Sequence, residues 1–238
     1  MITIEKGMIV KFLKFNLSGD LALFRKGTSV DDTTELVLTH DYMPPTAVKG
    51  LIGAILGYSG LAKASRENTE IEFLKKLDGV KIAVLPNRTN KFIQRITNTT
   101  GFANSGSTMI MAQQVLEDLS YEVLVGDNFD DYEKIKDLMF KGKTTYPLTL
   151  GRKGFTASYS NVEEVESELY TDSNFVKGFM SFEKLGEISD DEEYAHIELP
   201  VDYNEHFMYE YKDYVVGDLY SNYRGEFIEF SGEKISVI

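Results

Sequence analysis

Apolar residues recur with two periods along the first 160 residues, and these periods predict six secondary-structure elements. The first three are a strand in "MIVKFLKFNLSG" that ends at Ser18-Gly19, a helix over 45–64 and a strand in "VKIAVLPN". The next three are a strand in "YEVLV", a helix in "DDYEKIKDLMFKGK" and a strand in "YPLTLG". A short helical or turn piece in "MAQQVLEDLS" precedes the strand in "YEVLV". The order β-α-β-β-α-β predicts an α+β protein with a ferredoxin-like core, an arrangement that RNA-recognition modules share.

Both predicted helices have an apolar stripe at core spacing. In the first, the stripe consists of Val48, Leu51, Ile52, Ile55 and Leu56; in the second, of Tyr132, Ile135, Leu138 and Met139, with Gly142 as the cap. Pro45 fits the first turn of the first helix, where its missing N–H costs nothing. Glycines at 50, 53 and 57 leave bare backbone, which predicts close packing of that helix face against the sheet.

Several basic residues lie at the ends of predicted elements, where a polyanion can reach them. The start of the first helix presents N–H groups and a positive dipole, so a phosphate there would lie among Tyr42, Thr46 and Lys49. Arg25 lies at a loop edge, and Arg152 and Lys153 follow the last core strand. The alternatives are plain helix-on-sheet packing for the first case and solvated turns for the others.

Residues 161–238 form a second region, β-rich and acidic, which we divide from the core at residue 160. It contains "EEVESE", "EISDDEE" and "DYNEHFMYEYKDY", which concentrate carboxylates and tyrosines. Such a surface repels RNA and suits a basic protein neighbour. Solvated loops are the alternative explanation of the charge runs.

Composition narrows the classes of protein that remain. The 238 residues include no cysteine, which excludes disulfides, thiolate metal sites and a cysteine nucleophile. No stretch approaches the ~20 apolar residues that span a bilayer, and the N-terminus does not resemble a signal peptide. We therefore expect a cytoplasmic protein without a membrane partner, without a cofactor and without a metal site, since "DNFDDYE" lacks the spacing of a calcium loop.

The net charge of -13 argues against a nucleic-acid partner, but its distribution does not. Residues 42–66, 79–116 and 140–162 contain eleven of the 25 lysines and arginines and none of the 38 acidic residues. This pattern predicts a local polyanion-binding surface on an acidic body. Core and loop segments that happen to lack acids are the simpler explanation.

The stretch "NRTNKFIQRITNTTGFANSGSTM" has the composition of a single-strand RNA contact. Arg88, Lys91 and Arg95 suit phosphates, while Phe92 and Phe102 suit stacking on bases. Asn, Thr, Ser and Gly supply small hydrogen-bonding groups for base edges and sugar hydroxyls. The alternative is a polar hairpin whose two phenylalanines dock onto the core.

Four blocks of the sequence resemble family five of the CRISPR-associated proteins, in the RAMP superfamily. They are "SGDLALFR", "MPPTAVKGLIGAILG", "QQVLEDLSYEVLV" and "YPLTLGRKGFTAS", in the same order and at similar spacing over about residues 8–160. The resemblance implies an RRM-like core with a β-hairpin thumb inserted at about residues 87–110. It also implies a role in antiviral defence: a subunit of a type I Cascade complex that caps the 5′ handle of CRISPR RNA.

The resemblance also implies partners and a rival activity. The partners are CRISPR RNA, the backbone and large subunits of Cascade and, within the complex, target DNA. In one Cascade subtype the family member is the nuclease that trims CRISPR RNA precursors, and that branch carries a Lys-His pair after the thumb. This chain has no Lys-His dipeptide, which favours a non-catalytic subunit. That absence, together with the resemblance of "MPPTAVKGLIGAILG", suggests subtype I-B.

Two further functions remain as alternatives. A metal-independent nuclease needs a base and an acid, for which His40 and Tyr42 are the candidates; His196 and His206 lie among acidic residues and are read as structural or exposed. An acidic scaffold that binds only protein is the other alternative. Binding of a CRISPR repeat RNA separates the scaffold from the RNA-binding subunit.

Overall fold

The structure, a computed structural model, describes residues 8–27, 36–99, 108–188 and 193–238. Within these ranges the protein is a mixed α+β fold with one mixed sheet. Its strands are β1 (Met8–Ala22), β2 (Leu36–Val37), β3 (Ile82–Thr99), β4 (Thr108–Gly126), β5 (Ser158–Ser181), β6 (Ala195–Tyr203), β7 (Tyr209–Phe230) and β8 (Glu233–Ser236). Its α-helices are α1 (Pro45–Leu56), α2 (Leu61–Glu67), α3 (Glu72–Lys76) and α4 (Tyr132–Phe140), and a 3₁₀ turn spans Phe182–Lys184.

Four long strands form the first half of the sheet, in the order β3-β4-β1-β5, and every neighbouring pair is antiparallel. The order then continues through β8 and β7 to β6, and β5 also pairs with β7 over its C-terminal half. The predicted division at residue 160 falls inside β5, which runs from the first half of the sheet into the second. The β-rich character predicted for the C-terminal region is therefore present, in the same sheet as the core.

The core lies on both faces of β1. Leu13, Phe15 and Leu17 pack with the apolar stripes of α1 and α4, whereas Val10 and Phe12 pack with residues of β7 and β8. The prediction that the first strand ends at Ser18-Gly19 is wrong, because Gly19 continues the pairing with Leu119 and β1 ends at Ala22. Gly19 instead allows the side chain of Leu150 to pack directly on the backbone of β1, because a Cβ at this position would overlap that side chain.

Helix α1 buries its predicted stripe but is shorter than predicted. All five stripe residues are buried, and Pro45 lies in the first turn as expected. The helix ends at Leu56 because Gly57 takes a left-handed conformation, φ +89°, and its N–H caps the carbonyl of Gly53 at 2.8 Å. The apolar residues beyond it belong to a separate helix, α2.

The glycine face of α1 packs against α3, and the prediction that it lies against the sheet is wrong. A Cβ built on Gly53 would come within 2.7 Å of Phe73 Cβ, and one on Gly50 would lie 4.0 Å from Phe73 Cε2. Gly53 is therefore the position where the two helices touch. The chain returns through α2 to place α3 against α1, and Phe73 takes the space that a side chain at 53 would need.

The second predicted helix is confirmed as α4, with Tyr132, Ile135 and Met139 buried and Leu138 partly buried against the core. Gly142 follows it at φ +64°, which suits a residue beyond a helix end.

Two other predictions about local structure are wrong. The stretch "MAQQVLEDLS" is not helical but part of the continuous strand β4, whose positive φ of 52° at Asp118 interrupts the strand alternation. The stretch "YPLTLG" is not a core strand: it forms one isolated bridge, Thr149↔Thr156, and the fourth core strand is β5. Its alternation arises because Leu148 and Leu150 are both buried beneath a turn.

Strands β3 and β4 continue beyond the core as a long hairpin. Their pairing is continuous from Asn90↔Glu117 to Thr99↔Thr108, after irregular register next to Arg88. This hairpin includes most of the insertion predicted at residues 87–110. Residues 100–107, with Phe102 among them, lie outside the described part of the chain, and so does the side chain of Arg88.

No helix within the described ranges is long and apolar enough to cross a bilayer. In the same residues, no three histidine, aspartate or glutamate side chains are grouped as ligands of a metal ion.

Candidate nucleic-acid interface

A groove made of three adjoining cavities runs between the segment around His40 and strands β6 and β7. The first cavity, the arginine section, has a volume of about 470 Å³ and contains Arg25 and Arg152. The second, the tyrosine section, measures about 690 Å³ and shares His40 and Tyr209 with the first. The third, the lysine section, measures about 400 Å³ and reaches Lys91 on the hairpin. Neighbouring sections share wall residues, so the three cavities adjoin one another.

The arginine section brings together two cations that are far apart in the sequence. Arg25 follows β1 and forms a bridge with Thr39, while Arg152 lies in a turn after Gly151. Gly151 has φ +79°, and a Cβ there would overlap the backbone of Leu23, so only glycine lets the two segments approach. In the described part of the chain, neither arginine is ion-paired with a carboxylate. Both guanidinium groups are therefore available to an anion.

An amide network orients Arg152. Its Nη1 donates to Gln113 Oε1, and Gln113 Nε2 donates to Gln94 Oε1 at 2.6 Å. Because Gln113 is a buried residue of β4 that bonds both the arginine and Gln94 of β3, the network fixes one side of the guanidinium and leaves other donors for a ligand.

The N-terminus of α1 lies at the same section. Pro44, Thr46 and Ala47 line the cavity, and the first turn contains no acidic residue and no side-chain cap. The dipole of this 12-residue helix therefore adds positive potential beside the two arginines. The anion site predicted at this helix start stays a prediction, and of its three proposed residues only Thr46 lines the arginine section.

His40 lies in the wall between the first two sections and is only 4% exposed. Its Nε2 atom is buried and has no hydrogen-bond partner among the residues that the structure describes. Burial, and after it the positive charge of Lys26, lowers the pKa of His40 to about 4. The charge of Asp41 and a hydrogen bond with the backbone of Glu198 raise this pKa, but by less. The imidazole is therefore neutral at pH 7 and a weak proton acceptor.

The lysine section centres on the carboxylate of Asp41. It pairs with Lys91 from the hairpin and lies 3.8 Å from Lys26 Nζ. Tyr42 lines the same section, and its ring packs edge-on against Phe179 at 5.6 Å between centroids. Burial and the nearby Asp41 raise the pKa of Tyr42. His40 and Tyr42 therefore face different sections of the groove.

The hairpin carries its exposed cations on one face. Lys91 and Arg95 lie four residues apart on a stretch of β3 without register shifts, so both point to the same side, together with Ile93. Phe92 lies on the opposite face and is partly exposed. Of the predicted interleaved cations and rings, Lys91 and Arg95 therefore lie on one face of the hairpin and Phe92 on the other.

Lys49 is not part of this groove. It lines a different cavity with Lys81 and Lys212, where burial lowers its pKa against the opposing charges of Asp78 and Asp202. Lys153 is exposed in the turn after Arg152. Lys63 and Arg66 lie on α2, away from the three sections. The acid-free segments therefore contribute only some of their cations to the groove.

Several wall residues were missed by reasoning from sequence. Lys26, Gln113, Tyr209, Tyr211 and His196 all line the groove. The tyrosines belong to the stretch interpreted as an acidic protein-binding surface, and His196 was read as a structural or exposed histidine. Alternation in "MYEYKDY" is the one signal that places both tyrosines on one side of a strand.

A family model and two solved structures are similar to this chain. The family model described as CRISPR-associated protein (Cas_Cas5) matches residues 12–224. The chain is 12% identical to a chain of a solved "CRISPR RNA-guided surveillance complex", with a TM-score of 0.52 over 88% of this chain and 91% of that one. It is also 12% identical to a CRISPR protein from Archaeoglobus fulgidus, with a TM-score of 0.54 over 97% and 98%. No curated protein sequence matches the chain.

Proposed function

Because the chain belongs to the CRISPR-associated Cas5 family, we propose that it is the subunit of a type I Cascade complex that binds and caps the 5′ handle of CRISPR RNA. It would do so without cutting the RNA, as part of antiviral defence in the cytoplasm. Its partners would be the CRISPR RNA, the backbone and large subunits of Cascade and, in the assembled complex, target DNA. The proposed subtype is I-B.

The observation that carries the proposal is the arginine section of the groove. Arg25 and Arg152 both line this section beside the N-terminus of α1, and in the described part of the chain no carboxylate pairs with either. Phosphate is the ligand that such a combination suits, because guanidinium forks and helix N–H groups both bind its oxygens. On a protein with a net charge of -13, this local arrangement favours RNA over a purely protein-binding scaffold.

The sheet and the hairpin fit the same proposal. The antiparallel order β3-β4-β1-β5 with α1 and α4 packed on it supports the ferredoxin-like, RRM-like arrangement. The hairpin of β3 and β4 would be the thumb, with Lys91 and Arg95 on its basic face. Outside the groove, the acidic surface after residue 160 would meet protein subunits, since carboxylates there repel a polyanion.

Simultaneous alanine substitution of Arg88, Lys91 and Arg95 is expected to weaken binding of repeat-derived CRISPR RNA. Each lost phosphate contact should reduce the magnitude of the salt slope, the slope of log K against log salt, by about 0.7 for a single strand. Filter binding at four or more salt concentrations measures both quantities.

The matched control is Lys63→Ala with Arg66→Ala, which removes two exposed cations of α2 outside the groove. It should leave affinity and slope unchanged. If wild type and triple variant had the same RNA affinity and salt slope in the assembled complex, the hairpin cations would not be part of the RNA interface. Absence of any RNA binding by wild type would favour the scaffold instead.

Purified protein is expected not to cleave its repeat RNA, with or without divalent metal. A general base or acid contributes about 10²–10⁴-fold each, and His40 is a poor base because its pKa is about 4 and Nε2 is buried. Tyr42, the other candidate, faces a different section. Labelled RNA incubated with wild type and with His40→Ala provides the measurement. Specific cleavage by wild type that disappears in the variant would establish the nuclease alternative.

A further inference from the structure

Two aromatic side chains stack on each other at the surface beside the lysine section. Phe182 begins the 3₁₀ turn after β5, and His196 is the second residue of β6. Their ring centroids are 4.7 Å apart and their planes are inclined by 19°. Phe182 is 47% exposed and the side chain of His196 is 50% exposed, so the two rings stack on each other while about half of each remains open to solvent.

Strand β7 brings the two residues into neighbouring positions. Tyr214 of β7 pairs with Ser181 on one side and with Ile197 on the other. Phe182 follows Ser181, and His196 pairs with Val215, so the two residues lie on either side of the level of Tyr214. The stack therefore joins the 3₁₀ turn after β5 to strand β6.

The pair lies beside the path that the proposed function assigns to RNA. His196 lines both the tyrosine section, which contains Lys26, and the lysine section, which contains Lys91. Both lysines lie against the carboxylate of Asp41, so they form one cationic group, which the stacked pair borders through His196. Rings beside cations are the arrangement in which single strands stack bases while their backbone is neutralised.

The acidic neighbours do not oppose this role. Asp213 Oδ1 lies 3.3 Å from His196 Nε2, and Glu198 and Asp41 line the tyrosine section with it. These carboxylates repel phosphate, but a base carries no charge. The contact with Asp213 is at the edge of the imidazole and leaves the ring face opposite Phe182 for stacking.

We propose that the Phe182–His196 pair is a stacking platform for a base of the single-stranded RNA bound in the groove. The proposal rests on the proposed function, because it requires RNA in the groove. It adds to that function a base-binding position on β6, beyond the hairpin and the arginine section. The binding is by ring contact, so it makes no demand on base identity.

The test measures dissociation constants of a 12-nucleotide oligoadenylate for the full chain, with the salt slope of each variant. Phe182→Ala and His196→Ala are expected to weaken binding about 5- to 100-fold, the range for loss of one base–aromatic stack, with an unchanged salt slope. His196→Tyr should bind within about twofold of wild type because it restores a ring. Thermal unfolding of each variant verifies the fold, and Phe182→Leu tests the same loss with more of the apolar volume retained.

His206→Ala is the matched control. This histidine is also exposed and also lies beside a carboxylate, Glu205, at 3.5 Å, but it lies in the turn between β6 and β7 and lines none of the three sections. It should bind oligoadenylate like wild type.

The outcomes separate the two proposals. If wild type binds and the ring variants bind equally well, the platform is overturned and the proposed function stands. If wild type binds no RNA at all, both fail. A reduced salt slope in His196→Ala, or a defect confined to assembly with protein subunits, would also overturn the platform in favour of a charge contact or a protein contact.

Discussion

Replacing Gly53 by leucine is expected to lower the melting temperature and reduce the yield of folded protein. A Cβ at this position already comes within 2.7 Å of Phe73 Cβ, and a leucine side chain would have to force α1 and α3 apart. Overpacking of this kind costs about 1–3 kcal/mol or more, and for a chain of this size each kcal/mol lowers the melting temperature by about 2–4 °C. Thermal unfolding followed by circular dichroism is the measurement.

Gly50→Ala is the matched control on the same helix. A Cβ there would lie 4.0 Å from Phe73 Cε2, an ordinary contact, and alanine favours a helix over glycine by about 1 kcal/mol. This variant should therefore be as stable as wild type or more so. A Gly53→Leu protein with the wild-type melting temperature would show that α3 does not restrict the space at this position.

Alanine at both Arg25 and Arg152 is expected to produce the largest loss of RNA affinity of any variant described. Hydrogen bonds to charged groups contribute about 1.5–3 kcal/mol each, so losing both sites should weaken binding about a hundredfold or more. The salt slope should fall by about 0.7 for each phosphate released. Fluorescence anisotropy with labelled repeat RNA gives both values.

Lysine at the same two positions separates charge from geometry. Lysine keeps the charge but loses the planar fork, so the double lysine variant should recover the salt slope and only part of the affinity. The Lys63→Ala and Arg66→Ala protein again serves as the control for general loss of positive charge. An alanine double variant that binds RNA as tightly as wild type would contradict the assignment of the arginine section.

Local periodicity in the sequence determined the elements whose burial follows a single pattern. The stripes of α1 and α4 were predicted because every third or fourth residue is apolar and buried. The composition of residues 87–109 predicted an exposed polar segment, and β3 and β4 extend there as a hairpin. The four family blocks indicated the family that the match over residues 12–224 shows.

Contacts between distant segments decided the rest. The end of α1 depends on the left-handed Gly57, and the packing of its glycine face depends on Phe73, whose position follows from the chain path through α2. The stretch before Tyr121 looked helical because the unusual backbone at Asp118 interrupts the strand alternation. Neither feature leaves a periodic signal.

The groove itself was beyond sequence reasoning for the same reason. Arg25 and Arg152 were both named as candidates, but only the close approach of Gly151 to Leu23 brings them into one cavity. Lys49 was named beside Thr46, yet the two side chains line different cavities, because different segments pack against α1 at the two positions. Residue types can be read along a chain, whereas shared sites depend on which segments the folded sheet places side by side.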